Sequence, residues 1–216
     1  MTKTVYFFYD LETSGRTPEY DVLTLCGLIA SPEMEILDKV DLSIQTRQNP
    51  PLFEVGALAI NGICLETHNA SAMPLEVARN YLDGFLSKYS KDGFKIHSAG
   101  WNNYWDNNML EKCLLPNMWE HYQRHCLDVA SIVLTLKNLG FFPMSLPMSL
   151  TKISEYLNIS LENSHNAEAD ILATIEIYKI CMEYIDGTRM TPTKIRAVDF
   201  KQVNKDKERD RLRSST

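Results

Sequence analysis

The sequence predicts an α/β domain: a mixed sheet, three antiparallel strands plus parallel strands, flanked by helices. Three observations predict it. Residues 5–9 are an unbroken apolar and aromatic run that ends in the turn-rich residues 10–15, as a buried central strand does. Residues 21–31 and 34–44 are rich in β-formers and are separated by Ser31-Pro32, which predicts a hairpin following that strand. A helix from Pro74 and a further strand over Phe94–Gly100 then give the strand, helix, strand order of a parallel return.

The remaining elements follow in order. Asn49 to Pro51 breaks the strand pattern, and residues 53–60 form a short apolar stretch of one or two helical turns that ends in Asn61-Gly62. After Pro74, Leu75, Ala78, Tyr81, Leu82, Phe85, Leu86 and Tyr89 recur at spacings of three and four, an amphipathic helix with proline in its first turn. Residues 107–115 have helical character, and residues 127–139 hold a helical pattern up to Gly140, a natural C-cap. A Pro- and Met-containing loop, 141–147, leads to a short helix over 149–157 with Ser149 as N-cap. The last helix spans 167–185, with Asn166 before it and Gly187 after it. With no internal repeat and no linker before residue 187, residues 1–187 read as one domain. Residues 188–216 lose apolar periodicity and read as a charged, flexible C-terminal tail.

A chain of 216 residues suffices for one well-buried domain plus an appendage. Its hydrophobic content of 44% and charged content of 23% are those of an ordinary globular protein. The net charge of −6 is unevenly spread: residues 194–213 carry eight Lys or Arg against four Asp or Glu, a local +4, which leaves −10 elsewhere. A site built from carboxylates accounts for part of that acid, and a solvated acidic surface for most of it. The five cysteines, at 26, 64, 113, 126 and 181, form no C-x-x-C pair and read as reduced. No apolar run approaches the length needed to cross a bilayer, so the expected location is cytoplasmic, or nuclear in a eukaryotic host, with no membrane partner.

Chemistry enters at the end of the first strand. Asp10 and Glu12 are two residues apart, so they share a face of the strand. Adjacent carboxylates at the end of a buried strand must offset their repulsion and desolvation, and a divalent metal is the usual solution. A lone D-x-E is more often a pair of turn formers, so the reading depends on further acid elsewhere. Asp106 follows the strand over Phe94–Gly100, and Asp170 lies one turn into the last helix, with His165 just before that helix. Three separated segments thus bring four carboxylates and one imidazole to element ends, where open α/β folds place their sites.

These blocks, DLETSG at 10–15, GWNNYWD at 100–106 and HNAEAD at 165–170, resemble the three exonuclease motifs of the DnaQ-like, DEDDh class of 3'-5' exonucleases, which have a ribonuclease-H-like fold. Between the motifs, ALAINGI (57–63), LDV (127–129) and SLTKISEYLNI (149–159) resemble further elements of that class, and the asparagine pair after Gly100 is similar to its bacterial exonuclease I branch. The resemblance runs from about residue 4 to residue 186. It implies two Mg²⁺ or Mn²⁺ ions held by Asp10, Glu12, Asp106 and Asp170, with Asp10 bridging the two and Asp106 acting largely through bound water. It implies His165 as general base, and substrate contacts at Leu11, Thr13, Gly62, Ile63 and Asn102. The implied partners are single-stranded DNA or RNA 3' ends, DNA favoured, with a polymerase or repair protein as a further candidate. Trp101 stands where many relatives have histidine, and Trp105 where they have phenylalanine; neither change removes a ligand.

Two other readings stay open at this level. An oligoribonuclease-like enzyme would act on short RNA with the same residues, and a nucleic-acid-binding subunit would keep the fold without catalysis. Outside the motifs, His121 and His125 are four apart but lack a third ligand and read as surface histidines, while the methionines at 144 and 148 read as loop packing.

Overall fold

A computed structural model of the chain describes residues 3–161 and 166–188. Strand β1 (Lys3–Thr13) is the middle strand of a five-stranded sheet. It pairs antiparallel with β2 (Val22–Ala30), which pairs antiparallel with β3 (Ile36–Ser43). On its other side β1 pairs parallel with β4 (Phe94–Gly100), which pairs parallel with the two-residue β5 (Leu127–Asp128). The order β3-β2-β1-β4-β5 is the mixed, ribonuclease-H-like sheet expected from the sequence.

Side-chain alternation along β1 divides the core in two. Val5, Phe7, Tyr9 and Leu11 face one side, where they pack against Ala78, Leu82 and Leu86 of α3 (Leu75–Lys91) and against residues 109–122. Tyr6 and Phe8 face the other side, covered by α5 (Val129–Asn138), α6 (Leu150–Leu157) and α7 (Ala167–Asp186). The same alternation carries Asp10 and Glu12 onto the Phe8 side, beyond the apolar part of the strand. The sheet's apolar filling thus ends where its acidic residues begin.

Gly27 shows how tightly the first core is filled. A Cβ at this position would stand 2.4 Å from the Phe7 ring, which stacks on Tyr9 at 5.1 Å between centroids. The Phe7 ring occupies the space a side chain would need.

Helix boundaries follow their caps. The Ser149 hydroxyl accepts the Lys152 N–H at 3.3 Å at the start of α6, and the Asn166 side-chain Oδ1 accepts the Glu168 and Ala169 N–H groups at 3.1 and 3.3 Å at the start of α7. Gly187 closes α7 at φ 80°, in the left-handed region that glycine occupies without strain.

Four readings need correction. Leu127 and Asp128 are a strand, because they reach the edge of β4 before the helical pattern can take over; helix α5 begins at Val129. Two short helices, α1 (Val55–Asn61) and α2 (Leu65–Ser71), cross residues 55–71, and the sequence pattern showed only the first, since α2 buries just Leu65. The helix expected over 107–115 starts earlier, as α4 (Tyr104–Met109), and ends in one wider turn in which the Leu115 N–H reaches the Leu110 carbonyl at 2.6 Å. His121 is buried rather than at the surface: its Nε2 lies 2.9 Å from Asp83 Oδ1, which gives the imidazole a partner beneath α3. His125 is exposed as expected.

Among the described residues no helix is long and apolar enough to cross a membrane. The tail expected beyond residue 188 lies outside the described residues.

Replacing Gly27 by alanine is expected to destabilise the fold by about 1–3 kcal/mol, the usual cost of overpacking, and to lower the urea midpoint accordingly. An unchanged midpoint would mean that Phe7 moves aside freely.

Candidate metal and nucleotide site

Four carboxylates meet at the end of β1. Asp10, Asp106 and Asp170 border one cleft of about 210 Å³, together with Phe8, Trp101 and Leu150. Glu12 is close enough that its charge acts on both Asp10 and Asp106. Each comes from a different device: β1 supplies Asp10 and Glu12, the first turn of α4 supplies Asp106, and the first turn of α7 supplies Asp170.

Their electrostatics follow from that crowding. The Asp10 carboxyl is held well above the ordinary carboxylate range, by burial first and then by the charges of Asp106, Glu12 and Asp170. Burial also pushes Asp106 up to about 7, opposed by its own N–H and that of Leu11, which donate to the carboxylate, and aided by Glu12. A dication in the cleft would reverse these influences, since it favours the ionised form of each acid. The donor set is all oxygen, which suits a hard cation such as Mg²⁺ or Mn²⁺. Among the described residues no group of three or more His, Cys, Asp or Glu side chains is drawn together closely enough to hold a metal ion by itself; the three aspartates border a cleft of about 210 Å³.

The scaffold fixes each acid. Asp170 is held by the capped start of α7, whose positive end favours acid there, and its carbonyl accepts the Thr174 hydroxyl at 2.8 Å. Lys39 of β3 reaches across to Glu168 at 2.6 Å while also pairing with Asp41 at 2.8 Å, which ties the sheet to that first turn. Beside Asp106, the Trp105 indole donates to the Arg16 carbonyl at 2.9 Å, and the Tyr9 hydroxyl donates to Asn107 Oδ1 at 2.5 Å. The Lys39–Glu168, Trp105–Arg16 and Tyr9–Asn107 anchors were not legible in advance, because each joins residues far apart in sequence.

The five substrate-contact candidates fare differently. The Leu11 side chain is packed into the core, 5% exposed, so what it offers the site is its backbone N–H, already given to Asp106. Thr13 is buried, with its hydroxyl donating to the Gly15 carbonyl at 2.7 Å. Gly62 is exposed at φ 68° and closes α1, its N–H donating to the Leu58 carbonyl at 2.9 Å. Ile63 follows it, half-buried. Asn102 is exposed beyond β4. Asn61, which sequence reasoning passed over, joins the two groups: its amide donates to the Thr13 carbonyl and its oxygen accepts the Ile63 N–H, both at 3.0 Å. A buried-looking asparagine before a glycine was the available signal. His165 lies outside the described residues.

No protein-family profile and no curated protein sequence matches the chain. Among solved structures the chain is similar to E. coli exonuclease I in complex with a dT13 oligonucleotide, at 17% identity and a TM-score of 0.69 over 82% of this chain and 41% of that one. The zinc-bound E. coli exonuclease I complex with single-stranded DNA gives 18% identity and 0.69 over 82% and 40%. The moderately thermophilic exonuclease I of Methylocaldum szegediense gives 20% and 0.66 over 81% and 39%. The chain thus spans about two-fifths of the length of the exonuclease I chains it resembles, and at these identities the likeness is one of fold.

The raised acid at position 106 has a signed consequence for stability. Between its unfolded value near 4 and about 7 the folded state binds the extra proton, so without metal this carboxyl's contribution falls as pH rises through that window. In EDTA, Asp106→Asn is expected to gain on the parent as pH goes from 5 to 8, by roughly 1–3 kcal/mol, the upper end being about two units, between pH 5 and the raised value, at about 1.36 kcal/mol per unit. Equal stability differences at pH 5 and pH 8 would contradict this.

Proposed function

We propose that this chain is a 3'-5' exonuclease of the DnaQ-like, DEDDh type, hydrolysing single-stranded nucleic acid, DNA favoured, to 5'-mononucleotides. The observation that carries the proposal is the convergence of Asp10, Asp106 and Asp170 on one cleft, with Glu12 coupled to it electrostatically. The similar E. coli structures were determined with single-stranded DNA, in one case with zinc bound, which supports a single strand and a divalent cation for this cleft.

Two Mg²⁺ or Mn²⁺ ions, when bound, would supply an activated water and charge stabilisation at the leaving 3' oxygen. Asp10, on which the charges of Asp106, Glu12 and Asp170 all act, would contact both ions. Glu12 and Asp170 would hold the ion on the water side, while Asp106, gripped by two N–H groups, would act mainly by orienting water. His165, one residue before the cap of α7, would accept the water proton at a ring nitrogen, which requires a largely neutral imidazole. Asn61 holds the Gly62 and Ile63 turn against the end of β1. Helix α1 buries no residue and leaves Val55 76% and Ile60 59% exposed, apolar surface that a base could cover.

Matched DNA and RNA oligonucleotides labelled at the 5' end test the proposal. With Mg²⁺ the expected result is a descending ladder, abolished by EDTA and slowed in Asp10→Ala by a factor on the order of 10³ or more, about 4 kcal/mol. Faster cutting of DNA supports the stated preference; selective cutting of di- to pentaribonucleotides would move the assignment to the oligoribonuclease-like reading. Intact strands of both kinds, with binding retained, would overturn catalysis and leave a binding subunit.

A further inference from the structure

We propose that Asp128 is a positioning residue of this site, holding the turn between β4 and α4 in the conformation that delivers Asp106 and Trp101 to the cleft. The inference rests on the metal-site reading above and adds a residue to it.

Asp128 ends β5 directly opposite Gly100 in the parallel pair with β4. It also stands at the N-cap of α5, where an aspartate ordinarily accepts an N–H from its own helix. Here it makes no such bond. Instead Oδ1 accepts the backbone N–H of Asn102 at 2.8 Å, in another segment, and Oδ2 accepts the Ser131 hydroxyl at 2.5 Å, which fixes the carboxylate's orientation. The helix cap has been given up for a tether across the mouth of the sheet.

The tethered residue is the one that needs holding. Asn102 has φ 55°, a left-handed conformation that costs a non-glycine residue energy, though asparagine less than most. The turn around it is closely packed: a Cβ on Gly100 would lie 3.0 Å from Asn103 Cβ, and Asn103 is 1% exposed as the cap of α4. Gly100 and Trp101 before the bend and Asp106 after it all line the cleft. Relaxing Asn102 would therefore rotate the entry to α4 and displace Asp106.

The test is calorimetric titration of Mn²⁺ into the parent protein, Asp128→Ala, Asp128→Asn, Asn102→Gly and the double variant Asn102→Gly/Asp128→Ala, with thermal midpoints alongside. Asp128→Ala is expected to weaken Mn²⁺ binding about tenfold. Asp128→Asn, which keeps the acceptor, should stay within about threefold of the parent. With glycine at 102, which adopts this φ without help, Asp128→Ala should cost less than about threefold relative to Asn102→Gly alone. Parent-like binding by Asp128→Ala would overturn the inference. So would an undiminished loss in the glycine background, which would assign the effect to charge or helix capping. If Asp128→Ala does not fold, a loss of more than about threefold in Asp128→Asn, or in the double variant relative to Asn102→Gly, still overturns the inference. A parent protein that takes up no Mn²⁺ would overturn the metal-site reading itself and the inference with it.

Discussion

Carboxylates that share a poorly solvated cleft repel one another, and the fold spends much of its architecture on keeping Asp10, Asp106 and Asp170 there with the charge of Glu12 nearby. Asp10 is raised by burial and by three neighbouring acids, and Asp106 is raised to about 7 even with two N–H donors on its carboxylate. Such a cluster costs stability, since Asp10 and Asp106 are worse off ionised in the fold than in the unfolded chain until a cation arrives. The partial remedies are visible: the N-terminus of α7 beneath Asp170, the Leu11 and Asp106 N–H groups at Asp106, and Lys39 drawing off the charge of Glu168 and Asp41. They contain the repulsion without cancelling it.

Placement of the acids depends on the sheet's two cores. The Phe7 side, filled so fully that Gly27 can carry no side chain, fixes the height of β1; the Phe8 side seats α7 and with it Asp170. Because the two faces are packed by different helices, the first and last acids are set by independent contacts. Asp106 is set by a third group, the Trp105 and Tyr9 hydrogen bonds together with the Asn102 turn. Three rigid segments thus converge without any one of them having to fold around a ligand.

What was legible in the sequence was whatever local chemistry encodes. The alternation of β1, the Ser31-Pro32 hairpin, the α3 periodicity and the caps Ser149, Asn166 and Gly187 are all short-range signals, and each appears in the structure where it was read. The cleft could be anticipated because D-x-E on a strand and an acid in a helix's first turn have predictable directions. Elements supported by tertiary contact were misread: β5 is two residues long and exists only by pairing with β4, and α2 lacks an apolar face. The same holds for His121, whose partner Asp83 is 38 residues away. Pattern alone does not say which side of a strand's end remains open.

Similarity to exonuclease I at 16–20% identity fixes the architecture, and the acids must speak for the chemistry. The most direct measurement is an anomalous-difference map from crystals of this protein soaked in Mn²⁺. Peaks within coordination distance of Asp10 and of at least one of Glu12, Asp106 and Asp170 are the expected result. A well-ordered cleft with no anomalous density beside Asp10 would contradict the assignment of these carboxylates to a metal site.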